Sequence, residues 1–426
     1  MSERLLVRLV RPHSAAALGR ELAALELDSP AWGRLQEAAD WYRIWLEPLD
    51  PTAAHIVKEN LLAAGGDALL PPPLYAGVVA GGPVLLLGST ATLHQAVEAL
   101  AQHQWPSLQA VAAAVRTALT NAQAGPPSLQ IGPLHCVWGT RTYIMGIVNL
   151  TPDSFSGDGL LAHDEAVAAA LDQARSFVEW GATIVDVGGE STRPGSEAVG
   201  LEEELARVIP AIEEIARELG HRVAISVDTY KAEVARQAVA AGAHLVNDVW
   251  ALRMDPAMAA TVAELGVPVI VMHNRMRPKN AVQEARLGGR YLGIHYDHLM
   301  ADVVRELGES LELAAAAGVP PERIIVDPGI GFGKTVEQSL ELLDRLDELR
   351  VFGRPILLGP SRKSFIGYTL ELPPEERVEG TAATVAVGIA RGADIIRVHD
   401  VREIARVVRM TDAIVRGGRQ RERPGA

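Results

Sequence analysis

The chain has 426 residues, 48% of them hydrophobic, and a formal net charge of −13 at pH 7. That length gives room for two or three domains with sizeable cores, and the acidic balance argues against a nucleic-acid or anionic-membrane surface. No apolar run reaches the roughly 18 residues of a membrane span, Met1–Val10 shows no signal-peptide core, and the single cysteine, Cys136, excludes an internal disulfide or a multi-thiolate zinc site, so the expected location is cytoplasmic.

Residues 1–121 read as a small α/β domain of unknown role. Leu5–Val10 and Arg43–Leu46 suit strands. Ser14–Leu25 and Thr52–Ala64 have helical periodicity, the second stopped by Gly65-Gly66. Val78–Leu87, interrupted by Gly81-Gly82, is expected as a hairpin or a broken strand. Thr92–Gln102 and Leu108–Ala122 read as amphipathic helices. The Lys58-Glu59 pair reads as a solvated helix face. Residues 122–133 include Ala124-Gly125-Pro126-Pro127-Ser128, which has linker composition.

From 134 to 416 short apolar runs alternate with helical periods. Tyr143–Val148 suits a buried strand. Asn149 ends it, Thr151–Ser154 is loop chemistry, and Asp164 is placed to cap a helix over Glu165–Trp180. Further strands are expected at Thr183–Val187, Val223–Val227, Leu245–Val246, Val269–Met272, Ile324–Val326, Ile356–Leu358 and Ile395–Val398. Helices such as Glu202–Leu219, Lys231–Ala241, Met258–Leu265, Val336–Leu349 and Ala382–Arg391 fall between them. Eight strand–helix units predict a (β/α)8 TIM barrel behind the smaller α/β domain. The alternative is an open doubly wound sheet, and the lack of a dinucleotide fingerprint counts against it. The polar tail 417–426 is expected to be disordered.

In a parallel barrel the active site stands at the C-terminal ends of the strands. Those ends, or the loops just after them, carry Asn149, Gly188–Gly195, Asp228, Asn247-Asp248, Met272-His273, Asp327, Ser361–Ser364, and Arg397 with His399. Taken singly each has a bland role. Asp228 and Asp327 could cap helices, Asn247 could hold a turn, Arg397 could pair with a surface carboxylate, and His399 could be a satisfied loop histidine. The complete ring favours function. Asp228, Asn247 and Asp327 offer acceptors and an amide, which suit the donor–donor–acceptor edge of a planar heterocycle such as a pterin. Arg193, Lys363, Arg397 and His399 suit phosphate or carboxylate groups. Lysine is scarce, five against 35 arginines, so Lys334 and Lys363 stand out in their Gly/Ser-rich loops. Gly329–Thr335 is similar to a phosphate loop but has Pro328 where the Walker pattern needs glycine. Its glycines read instead as letting the loop pass close to a ligand, with Phe332 as a contact.

Met145–Ser156, Asp186–Gly195, Ser226–Thr229, Val246–Asp248, Asp327–Gly329, Ser361–Ser364 and Arg397–Val401 together resemble the dihydropteroate synthase family, over about Met145–Arg409. The resemblance implies a (β/α)8 barrel that joins 6-hydroxymethyl-7,8-dihydropterin pyrophosphate to p-aminobenzoate and releases pyrophosphate. It also implies a place in folate synthesis, Mg2+ as cofactor, sulfonamides as inhibitors and small-molecule substrates as partners, with a homodimer as a possible assembly. Asp228, Asn247, Met272, Asp327, Lys363 and Arg397 would hold the pterin. Asn149, Arg193, Arg397 and His399 would hold the pyrophosphate, with Asn149 also on the metal. Phe155, Thr192, Pro194, Phe332, Lys363 and Ser364 would form the aminobenzoate slot. Asp228, Asp327, Lys363, Arg397 and His399 are the expected catalytic set, acting in an SN1-like substitution that needs no strong general base. Two stretches depart from the family pattern: Gly157-Asp158-Gly159 in the first loop, and Asn274–Leu292 after the fifth strand. The alternatives are a pterin-binding methyltransferase domain, which needs no pyrophosphate cluster, and an inactive pterin-binding paralogue.

Overall fold

The computed structural model describes residues 40–150, 160–191, 198–275, 281–284, 286–292 and 294–416. The expected strand Leu5–Val10, the expected helix Ser14–Leu25 and the tail from Gly417 lie outside the described residues. The chain divides into two compact units, Met1–Ala124 and Gly125–Ala426.

In the first unit, β1 (Trp41–Leu49), β2 (Asp67–Leu69) and β3 (Gly82–Ser89) form an antiparallel sheet in the order β1-β3-β2. Helices α1 (Pro51–Ala63), α2 (Pro72–Tyr75), α3 (Thr90–Ala101) and α4 (Pro106–Ala124) complete it. The Asp50 carboxylate accepts from Ala53 N and starts α1, and the Ser89 hydroxyl does the same for α3 through Thr92 N. Such caps satisfy N–H groups that have no partner within the helix. Val57, Leu61, Leu86, Leu93, Val97 and Val115 are in the core. The Val78–Leu87 stretch is neither a hairpin nor a broken strand. Its strand starts at Gly82, and the residues before it follow the short, proline-started α2. Lys58 is not simply solvated either. Its Nζ donates to Asp67 Oδ1 at 2.6 Å and to Ala68 O at 2.7 Å, which ties α1 to β2.

The second unit opens with a hairpin of β4 (Leu129–Ile131) and β5 (Leu134–Cys136), the first strand of which lies in the stretch read as linker. The strands β6 (Tyr143–Asn149), β7 (Ile184–Gly188), β8 (Ala224–Asp228), β9 (Leu245–Asp248) and β10 (Val269–Met272) follow. After them come a second hairpin, β11 (Ala281–Glu284) with β12 (Gly288–Tyr291), and then β13 (Ile324–Asp327), β14 (Leu357–Leu358) and β15 (Ile395–Val398). Eight of these strands pair in parallel in the order β13-β10-β9-β8-β7-β6-β15-β14. A parallel bridge from Val326 to Ile356 joins the two ends and closes the barrel. The outer helices are α5 (Leu160–Trp180), α6 (Leu201–Leu219), α7 (Ala232–Ala240), α8 (Met258–Leu265), α9 (Leu299–Ala316), α10 (Val336–Asp344), α11 (Ser364–Leu370), α12 (Val378–Ala390) and α13 (Val401–Val415). Asp164 lies inside α5 rather than at its cap, because the helix already begins at Leu160. Among the described residues, no helix is long and apolar enough to cross a membrane.

Side chains alternate along each strand, with a period of two. Ile144, Val185, Ile225, Val246, Val271, Val326, Leu358 and Ile396 face the helices and form one large core. Tyr143, Met145, Ile184, Ala224, Leu245, Ile270, Ile325, Leu357 and Ile395 form a second core with Leu129, Ile131, Cys136 and Trp138. Each buried Leu or Ile there contributes about 1.5–3 kcal/mol relative to exposure. The first hairpin is thus an apolar floor under the barrel. Tyr143 OH accepts from Val137 N at 2.7 Å, Trp138 Nε1 donates to Pro127 O at 2.8 Å, and the two rings meet edge to face at 5.3 Å. Two residues further along the same strand faces stand Asp186, Ser226, Asn247, Met272, Asp327 and Arg397. One parity rule therefore supplies both the floor and the polar ring above it.

Candidate active site

The ring is organised around Asp186, which is fully buried on β7. Arg397 Nε donates to Asp186 Oδ2 at 2.6 Å, and Arg397 Nη2 donates to Asp228 Oδ2 at 2.6 Å. Asn247 Nδ2 donates to the same Asp186 oxygen at 3.0 Å. One guanidinium therefore bridges two carboxylates on adjacent strands. The amide of Asn247 is oriented by this bond: its N–H2 faces Asp186, which leaves Oδ1 to face elsewhere. Burial pushes the Asp228 carboxyl up to about 7, Arg397 acts against that rise, and Asp186 adds to it.

Other residues fill the cap and turn roles read for Asp228, Asp327 and Asn247, whereas His399 is hydrogen-bonded within its loop. Asn247 does not hold the turn after β9. Asp248 does, accepting from Trp250 N at 2.8 Å and Leu252 N at 2.7 Å. Asp228 does not cap α7, where Ala232 N donates to Asp255 at 2.8 Å. Asp327 does not cap α10, which has a capping box of Thr335 and Gln338. Asp327 instead accepts from Gly329 N at 2.7 Å, which starts the loop after β13. Burial raises its pKa, with Lys363 acting against the rise.

Lys363 reaches the same loop. Its Nζ donates to Ile330 O at 2.5 Å and sits 4.3 Å from the Phe332 ring centroid. Burial lowers its pKa to about 7, while Asp327 works to keep it charged. The backbone before it is strained: Arg362 has φ +54°, in the left-handed region. Buried Arg377 holds this turn by donating to Arg362 O at 2.9 Å and to Leu372 O at 3.0 Å. Gly367 leaves space for that guanidinium, since a Cβ there would come within 2.1 Å of Arg377 Nη2. Ser364 follows as the first residue of α11.

Met272 is buried at the end of β10. His399 donates from its backbone N to Ser361 Oγ at 3.1 Å, and its Nδ1 lies 3.0 Å from the same oxygen. Asn149, half-buried, ends β6. Phe155, Thr192, Arg193 and Pro194 lie outside the described residues, as does the Gly157–Gly159 departure. The start of the second loop is described. Lys231 Nζ donates to Glu190 at 2.5 Å and also pairs with buried Glu204, while Tyr230 OH donates to Glu190 at 3.1 Å. Arg207 donates to Gly189 O at 2.7 Å. Within Asn274–Leu292, the unaligned stretch, the second hairpin forms, and Tyr368 OH donates to Gly288 O at 3.2 Å.

Sequence reasoning singled out neither Asp186 nor Lys231. Asp186 sits two residues before the strand end, at the same parity as the rim residues. Parity was the available signal. Lysine scarcity was the signal for Lys231.

Residues 145–399 match the family of pterin binding enzymes. The chain is 49% identical over 278 residues to the dihydropteroate synthase of Bacillus subtilis, covering 65% of this chain and 90% of that one. It is 41% identical over 361 residues to a probable bifunctional folylpolyglutamate synthase/dihydropteroate synthase of Haloferax volcanii, covering 82% of this chain and 40% of that one, so this likeness reaches into the N-terminal unit. A crystal structure of the Xanthomonas albilineans dihydropteroate synthase with 4-aminobenzoic acid is similar with a TM-score of 0.59 and 42% identity, over 68% of this chain and 98% of that one.

Proposed function

The chain belongs to the dihydropteroate synthase family, and we propose how its ring of strand-end residues serves two substrates. Membership favours the synthase over the methyltransferase and inactive alternatives. The enzyme condenses 6-hydroxymethyl-7,8-dihydropterin pyrophosphate with p-aminobenzoate to give 7,8-dihydropteroate and pyrophosphate.

One observation carries the residue assignment: Asp186 commits the N–H2 of Asn247 and one side of Arg397. Asn247 then presents Oδ1, so Asn247, Asp228 and Asp327 offer three acceptors together. The edge of a dihydropterin carries a matching set of N–H donors, and Lys363 supplies a donor for its remaining acceptor. Arg397 and Met272 flank the ring. Asn149, Arg193, Arg397 and His399 take the pyrophosphate. Phe155, Thr192, Pro194, Phe332, Lys363 and Ser364 wall the aminobenzoate slot.

In the reaction the bond from the exocyclic methylene to the pyrophosphate oxygen breaks first, with electron density supplied by the pterin ring. Asp228 and Asp327 face the developing positive charge, and Arg397 and His399 meet the departing anion. The aniline nitrogen then forms the new C–N bond and sheds its proton. We assign Mg2+ as the cofactor. Among the described residues no cluster of three His, Cys, Asp or Glu side chains could hold a metal. The single hard amide oxygen of Asn149 fits an ion that keeps several waters and takes most of its other ligands from phosphates. Such an ion supplies charge neutralisation on the leaving group.

The buried single cysteine suits a cytoplasmic setting. Val387 on α12 and Met410 and Ile414 on α13 are exposed, which supports a homodimer, checked by sedimentation.

Turnover of the two substrates with stoichiometric pyrophosphate release tests the function. Asp327→Ala removes charge-assisted bonds worth about 1.5–3 kcal/mol and should lower pterin affinity about 10- to 150-fold by calorimetry, with the fold intact by circular dichroism. Unchanged affinity would sink that assignment. Every assigned residue lies in the second unit, so a chain beginning at Gly125 should keep its turnover. A folded but inactive product would give the N-terminal unit a part in the site.

Pterin binding should be bell-shaped in pH. Asp228 must be ionised to accept, and its raised pKa protonates it below about 7. Lys363 must be charged to donate, and its lowered pKa discharges it above about 7. Affinity should therefore peak near neutrality and fall on both sides, with Asp228→Asn shifting the acid limb to lower pH rather than abolishing it, because burial raises the Asp327 pKa as well. Calorimetry across the neutral range checks this, and a flat profile contradicts it.

A further inference from the structure

Lys334 is one of five lysines in the chain, and it is only 3% exposed. Its Nζ lies 2.9 Å from Gly329 O, 3.0 Å from Phe332 O and 2.9 Å from His273 Nδ1. Those three acceptors engage all three N–H bonds of an ammonium; burial lowers its pKa to about 7, and Asp327 acts to keep it charged. A planar guanidinium is larger and directs its donors differently, so this pocket selects lysine in a chain that otherwise uses arginine.

Two of the acceptors belong to the loop after β13. Gly329, Gly331 and Gly333 there have φ of +63°, +79° and +60°, and a Cβ on Gly329 would fall 1.9 Å from His273 O. The glycines let the chain bend that sharply, but they also leave it the freedom to bend otherwise. The ammonium gathers the carbonyls and selects one shape. In that shape the Phe332 ring lies beside Lys363 Nζ, which binds Ile330 O of the same loop. Two lysines therefore grip one loop.

The grip is anchored behind. To accept from Lys334, His273 Nδ1 must carry no proton, which places the ring proton on Nε2, 3.0 Å from Glu306. Glu306 on α9 also pairs with Arg275, which stacks 4.1 Å over Tyr296, and Tyr296 OH donates to Gly333 O at 3.0 Å. Burial, with the Lys334 charge beside it, holds His273 down at about 3, so this tautomer persists at neutral pH.

We propose that Lys334 is a positioning residue of the aminobenzoate slot: its buried ammonium sets the 329–333 loop, and through it the placement of Phe332, without touching either substrate. This rests on the assignment of Phe332 to the slot wall. A misplaced wall changes how aminobenzoate is held, while the pterin acceptors on β8 and β9 stay where they are and only Asp327, which accepts from Gly329 N, adjoins the loop.

The test is a double-mutant cycle in the full-length enzyme, with steady-state kinetics for each substrate. Lys334→Met should raise the aminobenzoate KM about 10- to 100-fold and change the KM for pterin pyrophosphate several-fold less, since Asp327 and Lys363 border the loop. Phe332→Ala should raise the aminobenzoate KM comparably. The double variant should be no worse than Phe332→Ala alone, because both changes remove one element. If Lys334→Met does not fold, Lys334→Gln, which is neutral but keeps two N–H donors, takes its place in the cycle. A variant at Lys334 that lowers the melting temperature but not aminobenzoate binding overturns the proposal, as do effects that multiply in the double variant. If Phe332→Ala leaves the aminobenzoate KM unchanged, the slot assignment itself fails and the proposal falls with it.

Discussion

Asp186→Asn should lower kcat/KM for pterin pyrophosphate by on the order of 10²- to 10³-fold. The substitution keeps the shape of the side chain but removes its charge from a buried pair with Arg397. Both present partners meet the same Asp186 oxygen, so an amide oxygen can still accept from them and what is lost is the charge. Breaking one partner of a buried ion pair costs about 3–5 kcal/mol. Here the loss falls on Arg397, which keeps only Asp228 as a charged partner at 2.6 Å and is held less firmly to β7. The contacts proposed for Arg397 then weaken, although none of the three acceptors has been altered. Steady-state kinetics and pterin calorimetry check this, with circular dichroism as the control for folding. Near-normal kcat/KM and pterin affinity would mean that Arg397 is oriented by something else.

Lys363→Arg should lose roughly 10²-fold in turnover despite keeping the charge. The Lys363 ammonium occupies a narrow place, 2.5 Å from Ile330 O and 4.3 Å from the Phe332 ring centroid. A guanidinium is wider and planar, and it keeps its charge where the ammonium is partly discharged by burial. It would stand in the field of Arg397, which already disfavours charge at this position. Both the heterocycle contact and the aminobenzoate wall would shift. Kinetics on both substrates decides the matter: activity close to the parent enzyme would reduce Lys363 to a point charge.

The barrel was legible because its strands are short apolar runs ended by polar groups, as at Val148-Asn149 and Val227-Asp228. A buried strand has no other reason to end that way at nearly every turn. Asp186 was harder to see. It lies inside the run Ile184–Gly188, where a lone carboxylate reads as part of a strand until its neighbours are known. Its partners stand 61 and 211 residues away in sequence, a relation set by barrel closure rather than by local spacing. Lys334 drew notice through lysine scarcity, but glycine-rich surroundings suggested a ligand, whereas its partners are backbone carbonyls and a histidine. The floor hairpin was hidden by composition. Prolines and a glycine mark its edges, and its strands are three residues each, too short for alternation to show. Asp164 failed as a helix start because a capping residue type is only a permission: α5 is extended by a further turn before it.

The apolar hairpin beneath the barrel has a consequence for traffic. A tube plugged at one end has a single mouth, and here everything must enter and leave past the loops at the C-terminal ends of the strands. Asn247, Met272 and Asp327 are buried, whereas Phe332 and Ser364 are half-exposed nearer the opening. With the substrates placed as proposed, the heterocycle would take the lower berth and arrive first, since an acid already lodged at the mouth would act as a stopper. The product would then fill both levels and withdraw by the same door, its pterin end last.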